Sequence, residues 1–286
     1  MSSGIQGGIS RTKPLVGIRG ASDELLGTTT NPLIVDTSPV YIEDACLTMA
    51  AGERILLSRL AGTVNKFGRG VVTSGSTFEI WDGNAAYVFP ATALMTSMSQ
   101  TTDQVAMRGA SIEIQGLDAS YDMVTQTKAL DASDTTTVVT LATPLIRCFR
   151  MKVLADVVGD SNIRVHNAGE TQDYAIITAG NNQSLMAVYT VPNGETAYIT
   201  NYFSHHNPAT GQDPTSNPII IWARDKDNSY EAQVKNVVGL PNGGGFQHLF
   251  TPFNKFTQKT DIFVTASPVG KTADVSAGFD LIRVTN

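Results

Sequence analysis

The sequence predicts an all-β protein: two β-sandwich domains, jelly-roll or Ig-like, preceded by an extended N-terminal arm. Three observations predict it. Short apolar runs recur through the chain with turn residues between them, at the roughly 8–12-residue spacing of sandwiches and barrels. Charged residues make up 16% of the 286, against roughly 25% in ordinary soluble proteins, so the surface is left to Ser, Thr, Asn, Gln and Gly, which favour strands and loops. No convincing helical pattern follows residue 61.

Taken in order, residues 1–40 are rich in Gly, Ser, Thr and Pro with scattered apolar side chains. They bury too little to fold alone and suit an arm lying along a partner, the alternative being a floppy terminus. Tyr41 to Ala61 reads either as a short helix or as strand–turn–strand around Ala51-Gly52. Residues 1–60 are therefore taken as arm and attachment segment, 61–180 as the first sandwich and 181–286 as the second. Val64–Arg69 and Phe78–Gly83 come next, with Asp82-Gly83 a turn signal, and Asn84–Pro90 is an expected strand closed by proline. In Ser111–Leu117, Ile112 and Ile114 alternate with Glu113 and Gln115, the pattern of a half-buried strand. Tyr121–Leu130, Thr135–Thr140, Leu145–Leu154, Ser161–Asn167 and Asp173–Thr178 follow as strands, with Arg147, Arg150 and Lys152 interleaved in the third.

Asn181–Phe203 reads as a hairpin. Met186–Val191 and Thr196–Phe203 are rich in β-formers, and Asn193-Gly194 between them suits a tight turn. A polar loop from His205 to Pro218 comes next. Ile219–Arg224, Tyr230–Val238, Gln247–Phe256, Asp261–Ala266 and Ala277–Val284 complete the strands.

Composition also bounds function. A net charge of −6 without a basic stripe argues against direct nucleic-acid binding, leaving one local basic spot at Lys66 and Arg69. No apolar run of about 18 residues offers a membrane span. The N-terminus lacks the apolar block of a signal peptide, so assembly in a host cytoplasm is expected. Cys46 and Cys148 lack metal-type spacing. They read as buried free thiols, with a disulfide as the alternative.

The catalytic and ligand motifs stay near background. His205-His206 with Asp213 could suggest a metal site, but adjacent strand residues face opposite ways. Asp225-x-Asp227-Asn228 starts like a calcium loop without its later ligands and reads as a polar turn. Asp118 with Asp122, or Glu113 with Glu79, could be glycosidase pairs, as in any β-rich chain. Trp81 and Trp222 could form a sugar platform but are more readily core. Gly68-Arg69-Gly70 and Gly243-Gly244-Gly245 are lone glycine loops. No catalytic, cofactor or metal residue is assigned, and no enzyme is expected.

Several segments together resemble one family. Val64–Arg69 (VNKFGR) followed by Phe78–Gly83 (FEIWDG) resembles the VNKFGRN…EDVWDGG signature of virion structural proteins of tailed phages, many of them marine. Ile114–Leu130, Ala179–Phe203 and Val275–Val284 are similar to further segments of that group, in the same order. Gly70 stands where the family has Asn, and Glu79-Ile80 where it has an acidic pair. The resemblance implies a particle component without catalytic residues. The leading expectation is a capsid decoration (cement) protein that binds the major capsid protein or other virion subunits and forms a homo-oligomer, a trimer by preference. A tail or head-to-tail component is the alternative, and a carbohydrate-binding module a third reading.

Overall fold

The computed structural model describes residues 60–286 except 208–210, 212 and 230, together with the two-residue strands β1 (Tyr41–Ile42) and β2 (Ile55–Leu56). Strands β1 and β2 pair antiparallel. The expected arm, Ala51-Gly52 and Cys46 lie outside the described residues.

No α-helix occurs among the described residues, and every strand pairing is antiparallel. The chain continues through β3 (Leu60–Val72), β4 (Phe78–Glu79), β5 (Met95–Gln100), β6 (Ser111–Leu117), β7 (Met123–Ala129), β8 (Val139–Leu145) and β9 (Arg147–Val153). It goes on with β10 (Ile163–His166), β11 (Asp173–Ile177), β12 (Val188–Thr190), β13 (Glu195–His206) and β14 (Pro218–Asp225). Strands β15 (Gln233–Gly239), β16 (Gly245–Phe256), β17 (Thr260–Ala266) and β18 (Ala273–Thr285) complete it.

These strands form two sandwiches, one inserted in the other. The outer one stacks the sheet β16-β13-β18-β3 on the sheet β12-β17-β14-β15, and β4 shares an edge of β17 with β12. Its core includes Tyr189, Ile199, Tyr202, Ile221, Val264 and Phe279. The inner one stacks β11-β10-β5-β8 on β7-β6-β9 around Met98, Ile112, Ile114, Met151, Val165 and Tyr174. The inner strands all lie between Met95 and Ile177, whereas β3 and β4 precede them and pair with β18 and β17. The expected partition into 61–180 and 181–286 therefore cuts across the outer sandwich. Nothing local in β3 announces this, because its partner β18 lies more than two hundred residues downstream.

Two further expectations differ. Asn181–Phe203 is not a hairpin: β12 pairs with β17, and β13 with β16 and β18. Strand β12 is buried throughout and β13 from Thr196 to Ile199, and the segment crosses from one sheet to the other instead of folding on itself. Gly194 still makes the turn, at φ +70° with Glu195 N–H donating to Pro192 O at 3.3 Å. Asn84–Pro90 forms no strand; Trp81, Tyr87 and Phe89 stack there in edge-on contacts.

The glycines of VNKFGRG explain how the insertion leaves and returns. Lys66, Gly68, Gly70 and Val72 share the buried face of β3. A Cβ on Gly68 would come within 2.3 Å of Ile80 O and 2.6 Å of Ala187 N. Only glycine lets these three backbones cross. Asp82 N–H donates to Leu185 O at 3.0 Å and Leu185 N–H to the Asp82 carboxylate at 2.8 Å, so the two ends of the insertion are bonded together.

Candidate functional site

Buried polar chemistry concentrates where the two sandwiches meet. Strand β9 carries the inner side. Its register slips opposite Gln115 and Gly116 and leaves Phe149 as a bulge. Cys148 and Met151 then enter the inner core, while Ile146 and Phe149 enter the outer one. Arg147 is carried into the seam with its side chain 1% exposed, against a fully buried Asp261 on β17.

Asp261 is the hub of this seam. Arg147 Nε donates to it at 3.0 Å, Arg147 Nη2 at 3.2 Å, Thr190 Oγ1 at 2.7 Å and Arg224 Nη2 at 2.8 Å. Arg147 Nη1 also donates to the carbonyls of Pro90 and Ile146. Both guanidiniums lie over the Phe89 ring, at 5.4 Å and 4.6 Å from its centroid. Burial alone would lower the Arg147 pKa, but the Asp261 charge and hydrogen bonds outweigh it and raise it. The arrangement fixes a geometry, with both Asp261 carboxylate oxygens taken up by Arg147, Arg224 and Thr190.

A cleft of about 170 Å³ opens beside this seam. Its polar lining includes Lys66, Arg150, Arg283, Tyr189, Gln115 and Gln183, and Val64, Phe67, Met123 and Phe149 form apolar wall. Lys66 is 8% exposed and donates to Phe149 O. Burial pulls its pKa down to about 7, and nearby Arg150 adds to the effect. Arg283 Nη1 pairs with Glu195 at 2.9 Å, yet its Nε is buried without a hydrogen-bond partner among the described residues. The buried Tyr189 hydroxyl accepts from the Arg283 guanidinium.

The residues weighed from sequence do not gather here. His205 and His206 point to opposite sides of β13: His205 bonds Asn207 at 3.1 Å, and His206 is buried. Among the described residues no three His, Cys, Asp or Glu side chains group as a metal site. Asp225 accepts from Asn228 and Thr257, and Asp227 pairs with Lys259 at 3.1 Å, a closed polar turn. Asp118 caps the N–H groups of Ser120 and Asp122. Glu113 accepts from Gln115, while Glu79, in another sheet, accepts from Tyr87 N–H. Trp81 is 2% exposed and donates to Ala85 O; Trp222 donates to Thr265. Neither forms a platform. The basic spot dissolves too, because Lys66 is buried and Arg69 is engaged by Asp274 through two hydrogen bonds. Cys148 is a buried free thiol.

No family model matches the chain, and no curated protein matches it. Among solved structures it is similar to a chain of infectious bursal disease virus, Gx strain. The TM-score is 0.21 and the identity 10%, over 78% of this chain and 71% of that one. A chain of the T13 particle of the same virus follows, with TM-score 0.16 and 8% identity over 79% and 78%. Overlaps at these TM-scores carry no argument about function.

The segments that carry the family resemblance do come together in space. Val64–Arg69 pairs with residues of Val275–Val284, and Trp81 bridges to Met186. Ile114–Leu117 backs β9 behind Arg147. A Cβ on Gly116 would meet Arg147 O at 2.2 Å, and one on Gly278 would meet Lys66 O at 2.2 Å. The motifs are the joints of the two-sandwich architecture, and sequence spacing alone gives no sign of that.

Proposed function

We propose that the chain is a structural, non-enzymatic component of a tailed-phage virion, a capsid decoration protein that bridges shell subunits. The observation that carries the reading is the ordered set of family-like segments. Four of the five pack at the joints where the insertion leaves and returns, and the fifth lies directly behind them. Two edge strands support it. Strand β15 ends one outer sheet and β16 the other, and they expose Val234, Val237 and Leu249 at 50%, 57% and 66%. Edges that no described strand covers, carrying apolar side chains, are surfaces for subunit contact. A protein that binds only the assembled shell stabilises it by mass action, and the contact needs no chemistry.

Copy number tests the reading. A decoration protein is present at a multiple of the shell's symmetry, a tail or head-to-tail component at a single ring's worth. Quantitative mass spectrometry of purified particles distinguishes them. A ring-level count overturns decoration, and absence from particles overturns the virion role.

A further inference from the structure

One end of the outer sandwich buries two polar side chains that the structural role does not use. His206 ends β13, and Asn217 immediately precedes β14. They are 0% and 3% exposed. Both ring nitrogens of His206 and both amide atoms of Asn217 are buried without a hydrogen-bond partner among the described residues. Such atoms are uncommon, because a buried donor or acceptor left unmade costs its whole desolvation penalty.

The backbone sets the two side chains against each other. His206 pairs with Val275, a residue of the outer core, so its ring faces that core too. Asn217 lies two residues before Ile219, which enters the same core from β14. Tyr202, on the His206 face of β13, donates to Ile219 O at 3.3 Å, which places β13 over β14. Two short connections cross between the sheets at this end and flank the pair. Residues 240–244 run from Gly239, the partner of Pro218, to His206, whose N–H donates to Gly244 O at 2.9 Å and whose O accepts from Gly243 N–H at 3.0 Å. Residues 267–272 close the other side: Val269 N–H donates to Ser216 O at 2.8 Å, and Asn207 N–H to Asp274 O at 2.8 Å. His206 and Asn217 therefore share one compartment between the sheets.

We propose that this compartment is a water site, in which an ordered water bridges the His206 ring and the Asn217 amide. A neutral imidazole has one donor and one acceptor, and an amide has donors and an acceptor. Water both donates and accepts, and when buried it makes about three hydrogen bonds, so it matches this pair in either orientation. An ion matches it less well. Asp274, beside Val275, is engaged by Arg69 and Asn207, and among the described residues no three metal-binding side chains gather. The inference does not rest on the virion reading.

A crystal structure of the full chain, at a resolution that shows ordered solvent, tests it directly. The expected result is a water within about 3.2 Å of a polar atom of each side chain. A direct hydrogen bond between His206 and Asn217, a chain segment filling the compartment, or an absence of solvent density there overturns the proposal.

Urea unfolding of three variants tests it in solution. Removing one side chain leaves the water and its other partner unsatisfied, so His206→Leu and Asn217→Leu should each raise the unfolding constant about 5- to 30-fold. The double variant removes both partners together and should raise it by well under the product of the two single effects. A single variant with an unfolding constant at or below the parent's marks an orphaned group and overturns the proposal. So does a double variant whose effect equals the product.

Discussion

Replacing Asp261 by Asn removes the one carboxylate that holds Arg147, Arg224 and Thr190 together. The substitution keeps the side-chain volume, so the cost is electrostatic. Arg147, 1% exposed, keeps its hydrogen bonds to Pro90 and Ile146 but loses its counter-ion. Leaving one member of a buried pair uncompensated costs about 3–5 kcal/mol. At the entropy of a domain this size, that is a fall in melting temperature of roughly 6–20 °C. Arg147→Met should cost less, because Asp261 retains Arg224 and Thr190. The double variant should recover about 2 kcal/mol of the summed losses, the coupling expected of contacting residues. Urea unfolding followed by the fluorescence of Trp81 and Trp222, both packed at the inner core, reads all three. An Asp261→Asn protein within about 1 kcal/mol of the parent at equal m-value would refute the argument.

Three further outcomes follow from the same geometry. Gly68→Ala places a Cβ 2.3 Å from a backbone oxygen, while the nearest atom to a Cβ on Gly70 is at 3.4 Å. Gly68→Ala should cost more than about 3 kcal/mol or yield no soluble protein, and Gly70→Ala under about 1 kcal/mol; equal melting temperatures would contradict this. Lys66 titrates near 7 when folded against an ordinary 10.5, so between these values the unfolded chain holds more protons and stability rises with pH, by at most about 1.4 kcal/mol per unit. Urea midpoints from pH 7 to 10 should climb in the parent and lose this component in Lys66→Met. Burial pushes the Cys148 thiol up to about 12, so at pH 8 it should resist iodoacetamide until urea unfolds the chain. Alkylation of the Cys148 peptide in native protein at the rate of a free thiol would contradict that.

Strands with their own periodicity were readable from sequence. Strand β6 is the clearest: Ile112 and Ile114 are buried, and Glu113 and Gln115 partly exposed, as the alternation requires. Strand β5, Met-Thr-Ser-Met-Ser-Gln, has no such contrast, yet it lies inside its sheet and is buried almost throughout. Its serines and glutamine find partners there, as in Gln100 to Ser161 O and Ser99 to His166, so polarity does not signal exposure. The seam was not read from the sequence: Gly68-Arg69-Gly70, expected as a lone glycine loop, lies inside β3. Period two puts Lys66 on one face with Gly68, Gly70 and Val72, and two glycines on one strand face mark close backbone approach. Which backbone approaches is a long-range fact. Arg147 was harder, because the bulge at Phe149 breaks the parity that the neighbouring arginine and lysine suggest.

The insertion also decides what the buried charge is for. A seam made only of apolar side chains would bury area equally well at several relative positions of the two sandwiches, since hydrophobic contact is non-directional. The Arg147–Asp261 pair is satisfied in one arrangement, with donors at 3.0 and 3.2 Å from β9 and a third at 2.8 Å from β14. The insertion's ends add their own constraint through the Asp82–Leu185 bonds. Hydrophobic burial supplies the larger energy, and the ion pair selects the geometry, at a net stability that apolar replacements could match. For a protein proposed to bridge fixed points on a shell, the useful quantity is that selected geometry. An Arg147→Met/Asp261→Leu chain that folds with near-parent stability and loses its defined inter-sandwich angle would separate the two contributions.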